Sequence, residues 1–140
     1  MRSALQEILS PTDRSGGVAL LAFDSHSGVV VRTPSSALIF DPVGIKVEEV
    51  NRADAIIITH EHSDHLNVLL VRELQRKTGA LVITTPFVTR LLPDVPREML
   101  RPLKIGESIQ GKGVRLQAFP SEHPGRQPLS FLLETVEGVR

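Results

Sequence analysis

Cysteine is absent from the 140 residues, and with it go disulfide bridges, thiolate metal ligands and cysteine nucleophiles. Any metal site in this chain must be built from nitrogen and oxygen. An excess of either charge is missing too: Lys plus Arg and Asp plus Glu stand at 16 each. No global field exists to gather nucleic acid or an anionic membrane. No apolar run approaches the roughly eighteen residues a membrane span needs. The N-terminal stretch Met1–Leu9 carries Glu7 in a short amphipathic run and lacks the long apolar core of a signal peptide. A cytoplasmic location is the default expectation. The length allows one domain at most, with a modest core.

Histidine is also scarce, at five residues, yet three of them fall in Thr59-His60-Glu61-His62-Ser63-Asp64-His65-Leu66. Imidazole and carboxylate together suit a divalent ion such as zinc, manganese or iron. If the backbone stays extended past the preceding strand, His60, His62 and Asp64 share one side. A turn at the start of the next helix then brings His65 round to them. The alternative is a polar loop of solvated histidines; Ser63 or Asp64 is a candidate helix cap under either reading. The density of ligand-type residues favours the metal reading.

Along the chain, residues 3–9 suggest a short helix, stopped at Ser10-Pro11 and followed by flexible Arg14–Gly17. Residues 1–17 are thus expected to be an N-terminal segment, and 18–140 the domain. Val18–Phe23, Val29–Thr33 and Ala37–Phe40 predict three strands in an antiparallel meander. Ala55-Ile56-Ile57-Ile58 is an unbroken apolar run, as expected of a strand buried on both faces. Leu66, Leu69, Leu70 and Leu74 recur at helical spacing up to the helix stop Gly79. Ala80–Thr84 supplies the next strand, so Ile56–Thr84 reads as a βαβ crossover with the histidine-rich loop at its first junction. Such junctions, at the carboxyl ends of strands, are where ligands collect in α/β sheets.

Further on, Pro86–Leu92 predicts a short helix, Pro102–Ile109 a strand and turn, Val114–Phe119 a half-buried strand, and Leu129–Glu134 a final one. Arg97, Arg101 and Lys104 read as a solvated basic surface rather than an anion patch. Asp41, before Pro42, is read either as a turn starter or as an acceptor that orients a ligand histidine. His26, in the turn His26-Ser27-Gly28, is either a solvated loop residue or a further outer-sphere group.

The run His60-x-His62-x-Asp64-His65 after an Ile-rich strand resembles the HxHxDH motif of the metallo-β-lactamase superfamily. The segment His26–Pro42 is similar to the opening of its lactonase-like branch, with Ser25 where that branch has glycine. The resemblance implies an α/β fold of the αββα sandwich type. Here about one half of that sandwich is expected, as a mixed sheet with helices on one face. It also implies that His60 and His62 serve one metal while Asp64 and His65 serve a second. His123, in Pro120-Ser121-Glu122-His123-Pro124-Gly125, takes the place of the third histidine of the first metal, and Glu122 is read as a loop carboxylate. Family members continue into a Gly-Asp element with a bridging aspartate and later add a last histidine. Neither is found in 1–140, so the second metal site is expected to be incomplete.

Three histidines and an open position typify a catalytic zinc. Such an ion lowers the pKa of bound water from 15.7 toward about 7. The expected activity is a metal-dependent hydrolase acting through that hydroxide on a small ester, lactone or phosphoester, with Asp64 orienting the nucleophile or moving its proton. The alternative is a non-catalytic half-domain that binds metal weakly and associates with a second copy or another chain. On that alternative, one apolar face of the sheet would be left exposed.

Overall fold

The computed structural model describes residues 1–10 and 17–135; Pro11 and the Arg14–Gly16 part of the expected flexible stretch lie outside the described residues. Helix α1 (Ala4–Leu9) opens with a capping box, in which the Ser3 hydroxyl accepts from Gln6 N and the Gln6 side chain accepts from Ser3 N. Its Leu5, Ile8 and Leu9 are buried. Strands β1 (Ala19–Ala22), β2 (Val29–Arg32) and β3 (Ala37–Phe40) form the expected antiparallel meander.

From β3 the sheet turns parallel. Strand β4 (Ala55–Ile57) joins β3, helix α2 (Val68–Thr78) crosses over, and β5 (Leu81–Thr84) lies parallel on the far side of β4. After the short helix α3 (Pro86–Thr89), β6 (Leu100–Pro102) completes the sheet in the order β1-β2-β3-β4-β5-β6. The strand expected within Pro102–Ile109 is thus split, with β6 ending at Pro102 and β7 (Ser108–Gly111) starting a second sheet. There β7, β8 (Val114–Pro120) and β9 (Leu129–Thr135) pair antiparallel.

Period-2 alternation divides the core. Val30, Ile39, Ile56 and Val82 pack with Leu9, Leu70, Val71 and Leu74 of the helices. Val31, Leu38, Ala55, Ile57 and Ile83 point the other way, onto Leu116, Ala118 and Leu129 of the second sheet. The face that the half-domain alternative would leave exposed is therefore covered by the second sheet. Helices lie on one side of the mixed sheet, as expected, and the β7–β9 sheet lies on the other.

Two local expectations are corrected. The N-cap of α2 is Asn67, whose side chain accepts from Leu70 N at 3.1 Å; Ser63 and Asp64 are spent in a preceding turn, so the helix starts later. Leu69 is 61% exposed, and Val71 takes its place in the buried stripe. Gly79 ends α2 in the left-handed region, at φ 69°. Among the described residues no helix is long and apolar enough to cross a membrane.

Candidate metal centre

Parallel pairing puts the carboxyl ends of β3 and β4 on one edge, and the functional groups gather there. Asp41 directly follows β3, and its N–H donates to Ile57 O at 2.8 Å. Beyond β4 the chain turns instead of staying extended: His65 N and Leu66 N both donate to His62 O at 2.9 Å. That turn, not strand alternation, makes the side chains converge. The loop between β8 and β9 arrives from the second sheet carrying His123. It is pinned by Leu129 N donating to Thr59 O at 3.0 Å and Arg126 N donating to Glu61 Oε1 at 2.8 Å.

The ring of His60 is the hub. It lies 4.7 Å from that of His62, 4.1 Å from His65 and 4.5 Å from His123, centre to centre. Two ligand-capable groups result, His60-His62-His123 and His60-Asp64-His65, each with its donor atoms within 4.8 Å of one another. His60 is buried, and among the described residues its Nε2 has no hydrogen-bond partner. A buried, unpaired imidazole nitrogen facing other histidines is costly unless something accepts its lone pair. The donor set therefore fits a divalent ion.

Asp41 sits behind this cluster, buried, with its carboxylate 2.7 Å from His65 Nδ1 and bonded to both the backbone N–H and the hydroxyl of Thr59. Burial raises its pKa, opposed by the His65 and Thr59 hydrogen bonds. Thr59 in turn meets His60 Nδ1 at 2.9 Å. His26 lies outside the cluster: its Nδ1 pairs with its neighbour Ser25, and the loop reaches the site instead through the Ser27 hydroxyl, which donates to Asp64 O. Glu122 is exposed and in neither group.

Thr59 and Glu61 are site residues that the sequence reading left unassigned. Thr59 had a usable signal, a hydroxyl at the end of an all-apolar strand. Glu61 had none, because its partner Arg126 is 65 positions away.

Burial, followed by the neighbouring His65, His123 and His62 charges, pushes the His60 pKa from 6.5 down to about 4. Below pH 6.5 the unfolded chain takes up a proton at this residue that the folded chain refuses, so stability falls as pH drops from 6.5 toward about 4. Asp41, shifted upward, acts in the opposite sense at the acid end, above 3.8. Urea midpoints of metal-free protein should therefore decrease from neutral pH into this window; a flat profile would contradict the burial of His60.

An open cleft of about 350 Å³ borders the cluster, lined by Phe40, Leu129 and Phe131 together with Ser121 and Ser130. A separate apolar cavity of about 310 Å³ opens between the sheets among Leu38, Ala55, Ile83 and Leu116. It contains neither ligand-capable group.

Imidazole and carboxylate groups gathered where parallel strands end, in a two-sheet sandwich with helices on the outer face of the larger sheet, define a metallo-β-lactamase-type protein. Residues 22–139 match the family described as the beta-lactamase superfamily domain, and the chain belongs to that family. A UPF0173 metal-dependent hydrolase of Pyrobaculum calidifontis is 31% identical over 127 residues, covering 81% of this chain and 56% of the relative. Among solved structures, a B3 metallo-β-lactamase with an active-site glutamic acid is similar at TM-score 0.64 and 18% identity, covering 96% of this chain and 63% of that one. CmlA, a diiron β-hydroxylase of Streptomyces venezuelae, is similar at TM-score 0.63 and 16% identity, covering 83% and 27%. The chain spans about half the length of the curated relatives it matches.

Proposed function

We propose that this chain provides the metal-binding part of a metal-dependent hydrolase acting on a small ester, lactone or phosphoester. The observation that carries the reading is the buried, unpartnered Nε2 of His60, enclosed by His62, His65 and His123. His60, His62 and His123 would hold one divalent ion. Zinc suits three imidazoles with an open position, and manganese or iron accept the same donors. When bound, the ion would acidify a water and polarise the oxygen under attack.

The chain's own residues supply the rest. Asp64 has a half-exposed carboxylate 3.7 Å from His65 Nε2, placed to orient the attacking water and take its proton. Asp41 holds His65 in place from behind. The cleft's size and its mix of aromatic walls and hydroxyls suit a small substrate better than a polymer.

With the one free nitrogen of His60 committed to the first ion, Asp64 and His65 alone leave a second ion with few ligands. Because the chain spans about half of its relatives, a second copy or another chain that completes the site is the accompanying proposal. Elemental analysis of protein purified without chelator, beside its mass in solution, tests both readings. Bound metal, and hydrolysis of a lactone or phosphoester panel that chelator removes and zinc restores, is the expected result. Absence of metal, or hydrolysis indifferent to chelator, would overturn the reading. A monomer holding two ions would sink the idea of a completing chain.

A further inference from the structure

We propose that Thr59 is a positioning residue whose hydroxyl carries the influence of Asp41 to His60, so that one carboxylate sets the ligating nitrogen of two histidines. The proposal deepens the metal-site reading and rests on it.

The protons around Asp41 can be placed one by one. An ionised carboxylate only accepts hydrogen bonds. Thr59 N donates to Asp41 Oδ1 at 2.7 Å, while Thr59 Oγ1 and His65 Nδ1 approach Asp41 Oδ2 at 2.8 Å and 2.7 Å. A threonine hydroxyl has one proton. If that proton pointed anywhere but at Asp41, lone pairs would face each other across 2.8 Å. It therefore points at Asp41, and Oγ1 offers only a lone pair to His60 Nδ1, 2.9 Å away.

His60 Nδ1 must then carry the ring proton. A neutral imidazole has only one N–H, so Nε2 is left bare. That is the atom found buried without a partner.

The same logic at His65 puts its proton on Nδ1, toward Asp41, and frees Nε2. The 3.5 Å approach of Thr59 Oγ1 to His65 Nδ1 is too long to compete. His123 is set independently, because its Nδ1 lies 2.8 Å from the carbonyl of Pro124, which can only accept. Since His60 belongs to both ligand groups and His65 to one, the Asp41–Thr59 pair governs both. Thr59 is suited to this relay because its N–H and its hydroxyl grip the two carboxylate oxygens, which leaves its Oγ1 no freedom to rotate away.

The test uses the metal-free protein with ¹⁵N-labelled histidine at about pH 8, above the ordinary histidine range. Ring nitrogen shifts report which atom holds the proton, and zinc affinity is measured on the same samples by competition with a chelating dye. The wild type should show Nδ1–H at both His60 and His65. Thr59→Val, of equal shape but lacking the hydroxyl, should lose the preference at His60, keep it at His65, and bind zinc at least about 10-fold more weakly. Thr59→Ser should restore both readouts.

An Nε2–H tautomer at His60 in the wild type would overturn the proposal. So would a Thr59→Val protein with unchanged tautomer and zinc affinity. Should the valine variant not fold, Thr59→Ser against Thr59→Ala gives the same comparison. A wild type with both assigned tautomers but no zinc binding would defeat the hydrolase reading while leaving the proton assignment intact.

Discussion

His60→Ala is expected to reduce metal affinity by more than about 100-fold, beyond the 10–100-fold typical of losing an outer-sphere partner. The reason is its place in the cluster. His60 belongs to both ligand-capable groups, whereas His62 and His123 belong to one and Asp64 and His65 to the other. Alanine at position 60 therefore leaves two ligand-type residues in each group, while His62→Ala or His65→Ala leaves one group whole. Metal content per chain, measured by elemental analysis across these variants, checks the ranking. If His60→Ala kept as much metal as His65→Ala, the shared role would be refuted. The same variant should lose the decline in metal-free stability between pH 6.5 and about 4, since the residue responsible would be gone.

Asp41→Ala is expected to be the most destabilising single change at the site, costing about 3 kcal/mol in the metal-free protein. Three donors depend on this carboxylate: the Thr59 N–H, the Thr59 hydroxyl and His65 Nδ1. Removing it strands a backbone N–H and an imidazole N–H where water has little access. The backbone adds to the cost. Asp41 has φ of 47°, a left-handed conformation that aspartate and asparagine tolerate better than alanine. Asp41→Asn keeps the backbone preference and one acceptor oxygen, so it should lose only part of the stability. Urea titration of the three proteins decides the matter; equal midpoints for Ala and Asn would mean that the hydrogen bonds contribute little. The double role explains why the Asp-Pro turn and the acceptor function were both legible at this position: the left-handed turn aims the carboxylate back at Thr59 and His65.

Hydrophobic alternation and punctuation were enough to read most of the frame. The meander, the buried Ala55–Ile58 run and the helix ending at Gly79 follow from local periodicity, which needs no knowledge of distant contacts. The metal-ligand density of His60 to His65 was equally local. Contacts between remote segments leave no such local pattern. The second sheet covering β3–β5 comes from strands more than fifty positions downstream of β4, and alternation in β8 shows that one face is buried without showing against what. Leu69 matches the helical repeat as well as Val71 does, and only the position of the sheet selects between them.

The sequence by itself determined the class of chemistry: no thiolate is available, and imidazoles and a carboxylate cluster after a buried strand. Tertiary structure decided which atoms work together. It turned the chain at His62 so that the side chains meet, brought His123 across from the β8–β9 loop, and set Asp41 and Thr59 behind the cluster. It also left His26 outside, with Ser27 making the contact. The physical reason is that ligand type is a property of single residues. Which nitrogen is bare, which carboxylate is buried and which loop is pinned depend on hydrogen bonds between segments that only folding brings within 3 Å or so.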